Sequence, residues 1–385
     1  MKNSLIIQSG GPTPVINSSL YGIIKESKKI KSIIYGSKNG ILGLINDDLV
    51  NLNDLDEENL ELLKQTPGAI LGSARYCLKD FNHQDYELIK NNIIKYHLSY
   101  IYVIGGNDSM DTANKLALYC FNNNLAVKVI GVPKTIDNDL LYTDHTPGFG
   151  SALKYVVNTL ACVKEDVKCY KNGKVTIVEI MGRDTGWLTA GSVFANPDLI
   201  YLPESNFNLD NFLKDVNTIY QQKKYCLVCV SEGIKLSNEN DKEIDQFGHT
   251  QLGGVSLFLA NLVKEKLNIS SRAIELSIPQ RCSSFIASKV DVKEAIKCGQ
   301  YAVKYALKDY TNKMVIMKRN KEYAISYKLE NLDNIANGVK YFPTSWIINN
   351  NYISDAFKTY AFPLMQKELK IKYQNGIIKH SKIKD

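Results

Sequence analysis

Ile104-Gly105-Gly106-Asn107-Asp108-Ser109-Met110-Asp111 and Pro133-Lys134-Thr135-Ile136-Asp137-Asn138-Asp139 decide how the chain reads. Each stretch follows an apolar, β-rich run, Tyr100–Ile104 and Val127–Val132. Short apolar runs that end in polar loops read as buried parallel strands, and open α/β sheets place their ligands at the carboxyl ends of such strands. The first loop offers glycines that let backbone approach a phosphate closely. The second sets Asp137 and Asp139 beside the Thr135 hydroxyl. Together they point to metal-assisted phosphoryl transfer to an alcohol, with a carboxylate taking the proton. An Asp-Asn-Asp run is also ordinary turn chemistry.

The same alternation continues outward. Ser4–Gln8, Val175–Ile180 and Cys226–Val230 read as further buried strands. Val15–Ser27, Met110–Asn122, Gly150–Lys164, Asn211–Gln222, Gly254–Leu267 and Val292–Leu307 read as helices. Strands alternating with amphipathic helices predict an α/β fold with mostly parallel sheets. A boundary falls near Gly148–Gly150, because a fresh helix begins after Thr146-Pro147-Gly148. No internal repeat and no low-complexity linker interrupts the pattern. The final stretch, Tyr341–Asp385, is aromatic and basic and carries no readable motif.

At 385 residues, 44% hydrophobic and 23% charged, the chain has the composition of a globular protein with two or three domains. The first apolar run, Leu5–Ile7, is too short for a secretion signal, and no run of about 18 apolar residues could span a bilayer. Cytoplasm is therefore the expected compartment, with no membrane partner. The eight cysteines are scattered. Cys226 and Cys229 lie three apart within a strand, on opposite faces, so they read as buried thiols rather than a metal pair. The net charge of +7 is concentrated after residue 312, where thirteen Lys/Arg face six Asp/Glu. Those basic residues are interspersed with Tyr, Ile and Asn, which reads as a solvated face and not as a nucleic-acid site.

Other polar loops end other strands. Gly10-Gly11-Pro12-Thr13-Pro14 follows the first, and two glycines opening a strand–loop–helix unit can present N–H groups to a phosphate. It matches neither the P-loop nor the dinucleotide fingerprint, and a tight turn would look the same. Gly72-Ser73-Ala74-Arg75 offers a guanidinium suited to developing phosphoryl charge or to a surface ion pair. Met181-Gly182-Arg183, Ser231-Glu232-Gly233 and Pro279-Gln280-Arg281 each close an apolar run. At least six such loops lie at the carboxyl side of candidate strands, an arrangement chance would scatter.

In this order the motifs closely resemble those of the phosphofructokinases, from about residue 4 to about residue 320: Gly10-Gly11, Gly72–Arg75, Gly105–Ser109, Thr135–Asp139, Met181–Arg183, Ser231–Gly233 and Gln280-Arg281. The resemblance implies two Rossmann-like three-layer αβα domains with the active site in the cleft between them. Residues 1–148 plus about 281–330 would bind the phosphoryl donor. Residues 149–280 plus about 331–385 would bind the sugar phosphate. It implies Mg²⁺ and fructose 6-phosphate, with Asp137 accepting the proton of the sugar 1-hydroxyl and Thr135 and Asp139 beside it. Met181, Gly182, Arg183, Glu232 and Arg281 match positions that hold the sugar phosphate. Lys174 and Arg272 match basic positions that reach a neighbouring subunit's sugar site, which implies at least a dimer. Gly11, Arg75 and Gly106 match positions at the donor.

Two residues bear on that donor. Asp108 stands where ATP-dependent members commonly carry glycine, and Lys134 where they carry the glycine of P-G-T-I-D-N-D. Both resemble the diphosphate-dependent branch. Asp108 adds bulk and negative charge where a nucleotide α-phosphate would lie, and Lys134 adds a cation suited to a compact diphosphate. Two positions depart from the family pattern. Asn107 replaces an aspartate that helps hold Mg²⁺ in many relatives, and an amide oxygen ligates more weakly. Ile278 replaces a histidine common among ATP-dependent members. The expected reaction is reversible transfer from diphosphate to fructose 6-phosphate. The alternatives are an ATP-dependent enzyme or a non-catalytic subunit that binds the sugar phosphate.

Overall fold

The computed structural model describes residues 2–236, 253–321 and 323–383. The strands of its two main sheets are β1 (Asn3–Gln8), β2 (Ile34–Ser37), β3 (Leu49–Asn51), β4 (Leu98–Gly105), β5 (Lys128–Pro133), β6 (Val175–Ile180), β7 (Leu199–Tyr201), β8 (Cys226–Ser231), β9 (Ser271–Glu275), β10 (Lys313–Asn320) and β11 (Ala324–Asn331). They form a seven-stranded sheet ordered β11-β10-β5-β4-β1-β2-β3 and a four-stranded sheet ordered β7-β8-β6-β9. The smaller sheet is wholly parallel. In the larger one, the strands from β10 to β2 are parallel, and β11 and β3 close the two edges antiparallel.

Helices cover both faces of the large sheet, which explains its near-continuous apolar strands. Leu5, Ile7, Ile101, Val103 and Val129 point into one cluster. Ile6, Tyr100, Tyr102, Ile104, Ile130 and Val132 point into the other. The small sheet repeats the pattern. Cys229 joins the cluster with Val178 and Ile180, and Cys226 the one with Val175 and Ile177. The two cysteines are buried, free and on opposite faces, as their spacing predicts. No helix among the described residues is long and apolar enough to cross a membrane.

The five strands expected from apolar runs are present within two residues of their expected ends. One helix differs in a way that matters. The segment Asn107–Asn122 is helical, three residues ahead of the expected start at Met110. Gly106 is extended and caps the helix, and Met110 N–H donates to Gly106 O at 3.0 Å. Asn107 and Asp108 therefore occupy a helical first turn, where a carboxylate is favoured by the exposed N–H dipoles.

The chain crosses between the sheets repeatedly. Helix Lys289–Ala306 packs Cys298, Ala302 and Val303 onto the large sheet's core. Phe342, Ile353, Phe357 and Leu364 then enter a core of the small sheet. Residues 372–381 return to the large-sheet side, where Gln65 donates to Lys372 O and Lys379 O at 2.9 and 2.7 Å.

Helix Ile16–Ser27, which follows the Gly10-Gly11 loop, lies directly on helix Lys289–Ala306. A Cβ at Gly22 would collide with the carbonyl oxygen of Ile296, a backbone atom that cannot swing aside. Gly22→Val is therefore expected to destabilise the protein by about 1–3 kcal/mol through overpacking. An unchanged thermal midpoint for that variant would contradict this close crossing.

Candidate active site

The large sheet reverses its winding at β1, with β2 on one side and β4 on the other. The loops after β1 and β4 part there and leave a crevice. Gly10 turns at φ +75°, and the Lys134 ammonium donates to the Gly11 carbonyl at 2.6 Å. A Cβ on Gly10 would lie 3.2 Å from Lys134 Nζ, and one on Gly11 3.2 Å from an Arg281 guanidinium nitrogen. Residues after β1, β5 and β9 thus meet at one point. Ser73 Oγ donates to Gly10 O at 2.8 Å and brings the 72–75 loop to the same crevice, with Arg75 exposed two residues on. Asp108 is exposed in the first helical turn beyond Gly106.

Lys134–Asp139 leaves β5 in a tight turn. Thr135 Oγ1 accepts from Asp137 N–H at 3.0 Å and donates to Asp137 Oδ2 at 3.1 Å. Thr146 Oγ1 donates to Thr135 O at 2.9 Å, and Thr185 Oγ1 to Asp137 O at 3.3 Å. Asn138 is fully buried at φ +57°, which leaves Asp137 and Asp139 on either side of it, both partly exposed.

The third group of loops comes from the small sheet. Glu232 Oε1, after β8, accepts from Gly182 N–H at 3.2 Å and Arg183 N–H at 3.0 Å, after β6. Gln280 Oε1, after β9, accepts from Met181 N–H at 3.2 Å. Arg183 holds φ +54°, a costly conformation for a residue with a Cβ, and its charge reaches Asp137. The Nε of Arg281 is buried without a partner. Of the residues named from sequence, Gly11, Gly106, Asn107, Asp108, Lys134, Thr135, Asp137, Asp139, Met181, Gly182, Arg183, Glu232 and Arg281 gather on loops at the carboxyl ends of the two sheets. Lys174 and Arg272 do not. Lys174 lies at the amino-terminal end of β6, about 20 Å away at ~3.3 Å per strand residue, and Arg272, in β9 opposite Thr176 of β6, pairs with Asp166 at 3.3 Å on the surface.

Burial dominates the electrostatics. It lowers the Lys134 ammonium to about 8, against the attraction of Asp137, Asp139 and Asp108. It raises Asp137 above the ordinary carboxylate range, although Arg183, the Thr135 hydroxyl, Lys134 and Arg281 all favour the anion. Asp139 is raised by burial and by the negative charge of Asp137. Glu232 is pushed up to about 7 by burial, partly offset by the N–H groups of Arg183 and Gly182. The result is a carboxylate with an elevated pKa beside a cluster of cations, an arrangement that is chemically able to accept a hydroxyl proton near anionic groups.

A divalent cation fits one feature of the crevice. Asn107 Oδ1 is a buried acceptor with no hydrogen-bond partner. Among the described residues no three His, Cys, Asp or Glu converge as a metal cage. Mg²⁺ commonly takes few protein ligands and keeps water and substrate oxygens, which is consistent with a single amide ligand.

Several contacts of the site escape sequence reading. Thr185 is a lone hydroxyl between two motifs. Lys340 donates through its backbone N–H to Asp139 O at 2.7 Å, and the Tyr360 hydroxyl accepts from Asn138 Nδ2 at 3.0 Å. Both lie some 200 residues downstream, Lys340 just ahead of the stretch without a readable motif and Tyr360 within it, so nothing local announces them.

The family model for phosphofructokinase matches residues 3–306. A pyrophosphate–fructose 6-phosphate 1-phosphotransferase of Xanthomonas campestris pv. campestris is 35% identical over 402 aligned positions, covering 100% of this chain and 96% of its own. A sulfofructose kinase of Alkalicoccus urumqiensis is 37% identical over 329 positions, 84% of each chain. The crystal structure of a pyrophosphate-dependent phosphofructokinase from Marinobacter aquaeolei matches with a TM-score of 0.90 at 32% identity, covering 99% of this chain and 96% of that one.

The electrostatics make a measurable prediction. Asp137 raises Asp139 by like-charge repulsion, so Asp137→Asn should lower the Asp139 pKa by about one unit, read from ¹³C carboxyl shifts. An unmoved Asp139 titration would mean that the two carboxylates do not sense one another.

Proposed function

The chain belongs to the phosphofructokinase family, and from that premise we propose that it transfers a phosphoryl group reversibly from diphosphate to the 1-hydroxyl of fructose 6-phosphate. The products are fructose 1,6-bisphosphate and phosphate. The observation that carries this reading is the pairing of a buried Lys134 ammonium, 2.6 Å from Gly11 O, with an exposed Asp108 on the same crevice. A small tetra-anion can sit against Lys134 and the N–H groups opening helix Asn107–Asn122. The longer chain of ATP would bring its α-phosphate to the Asp108 carboxylate.

In this mechanism Asp137 takes the proton from O1 as O1 attacks the near phosphorus of diphosphate in line. The O1–P bond forms, the bridging P–O bond breaks, and phosphate leaves with the electron pair. Lys134 faces the donor oxygens, and Arg75 and Arg281 supply positive charge to the transferring group and the sugar phosphate. Arg183, Met181 and Glu232 orient the sugar. Mg²⁺, when held by Asn107 Oδ1 and substrate oxygens, neutralises donor charge. Lys174 and Arg272, remote from this chain's own cleft, serve a neighbouring subunit's sugar site in an assembly of at least two chains. A second acceptor has one observation in its favour: the 37%-identical relative is a sulfofructose kinase. Ile278, 57% exposed, offers no hydrogen bond at the position where many ATP-dependent members carry His.

Steady-state assays with Mg²⁺, comparing diphosphate with ATP and fructose 6-phosphate with 6-deoxy-6-sulfofructose, test the reading. Turnover is expected with diphosphate and near background with ATP. Asp108→Gly should raise ATP-dependent turnover roughly 10²-fold, the scale of removing a like-charge clash of a few kcal/mol. A wild type that prefers ATP, or an Asp108→Gly variant with an unchanged donor ratio, would contradict the donor assignment.

A further inference from the structure

Lys340 lies just ahead of the stretch without a readable motif, yet it makes many of the contacts that hold the base-bearing loop. Its ammonium donates to three oxygens of that loop: Asn138 Oδ1 at 3.3 Å, Thr143 O at 3.2 Å and Asp144 O at 3.0 Å. All three donors of one lysine are thus committed to residues 138–144. Its backbone N–H donates to Asp139 O at 2.7 Å, and its carbonyl accepts from Trp187 Nε1 at 2.8 Å. The ammonium also stands 5.1 Å from the Trp187 ring centroid. Two residues on, Phe342 N–H and Gly186 N–H share the half-buried Glu204 carboxylate at 2.9 and 3.1 Å.

We propose that Lys340 is a positioning residue for phosphoryl transfer: it fixes the Asp137–Asp139 turn against the Trp187 loop and sets its ammonium behind that turn. The inference rests on the reading of Asp137 as the base. Trp187 follows Arg183 and Thr185 by a few residues, and Thr185 Oγ1 already donates to Asp137 O. Lys340 adds the second tie between the same two loops, so the base and the sugar-binding arginine are set by one splint. The Tyr360 hydroxyl, accepting from Asn138 and donating to Asp144 O at 2.8 Å, braces the loop from the far side.

The charge has its own consequence. Asp139 and Asp144 face the ammonium from the loop and Arg319 faces it from β10, while Asp139 in turn faces Asp137 and Arg183. Burial lowers Lys340 to about 7, with Asp144 and Asp139 pulling the other way. Below that pH it is a cation, and it opposes the rise that burial and Asp137 impose on Asp139. Removing it raises Asp139 further, so the pair gives up its last proton only at higher pH.

The test compares wild type, Lys340→Met and Lys340→Arg in the full assembly, with whichever phosphoryl donor the wild type uses. For Lys340→Met, kcat should fall about 10- to 100-fold, the cost of a misplaced reacting group, with KM for both substrates changed less than about threefold. The acid limb of kcat/KM should move up by about one unit. Trp187 fluorescence should shift at the same time. Lys340→Arg should restore the acid limb while recovering kcat only in part, because a planar guanidinium cannot match three oxygens arranged for an ammonium. An unchanged kcat and acid limb in Lys340→Met would overturn the inference. So would a parallel loss of kcat, KM and thermal stability with an unmoved acid limb, which is the mark of a merely structural residue. A wild type inactive with either donor would overturn the activity reading and this inference together. An active wild type with indifferent Lys340 variants would overturn this inference alone.

Discussion

Two carboxylates separated by a single residue, Asp137 and Asp139, must sit in a crevice and still ionise. Burial drives each toward its neutral form, and the charge of one raises the other. The surroundings answer with fixed cations and donors from separate parts of the chain. Lys134 comes from the same strand end, Arg183 from the small sheet, Arg281 from the loop after β9, and Lys340 from far downstream. Glu232 faces the same problem, and two backbone N–H groups only partly offset it. The outcome is a carboxylate raised above its ordinary range and faced by cations that favour its anion.

The fold makes that balance possible. Parallel strands direct their carboxyl ends to one side, so loops separated by more than 100 residues converge without long connections. Two sheets facing each other in this way double the number of contributing loops. The repeated crossings of residues 289–381 between the sheets tie the two walls together. The buried network of His145, Glu294, Asp144 and Arg319 lies directly behind the base loop. Burial alone would lower His145, but Glu294 and Asp144 overcome it and raise it to about 9. Its contribution to stability is therefore fully present below about pH 6.5 and fades as pH rises through 9. Across neutral pH His145 therefore stays protonated behind the Asp137–Asp139 turn.

Much of this was legible in the sequence where cause and effect are local. The β-rich run Val127–Val132 followed by Pro133–Asp139 declares both a strand and a polar loop at its carboxyl end. The Cys226–Cys229 spacing settles their opposite faces for the same local reason. The start of helix Asn107–Asn122 was misjudged because Gly-Gly-Asn-Asp has turn composition, whereas Gly106 acts as an extended cap and the helix begins at once. Strand β9 registered only as an apolar stretch before Pro279, without bounds, because it is a half-exposed edge strand without apolar periodicity. Strand β10 ends in Lys and Arg, as exposed strand ends do, and β11, its edge partner, is half-exposed throughout. Lys340, Tyr360 and Glu204 were beyond reach in principle. Their roles exist only once a distant segment folds back onto the loop, and no spacing encodes that.

The central claim is that Asp137 is the proton acceptor of a diphosphate-dependent transfer. The most direct measurement is kcat of Asp137→Asn with fructose 6-phosphate, diphosphate and Mg²⁺, alongside the affinity for fructose 6-phosphate by calorimetry. The substitution keeps the volume and removes the base. The account predicts a fall in kcat of roughly 10²–10⁴-fold with sugar binding largely retained. A variant that turns over at near the wild-type rate would contradict it, and the base would have to be sought elsewhere in the cleft.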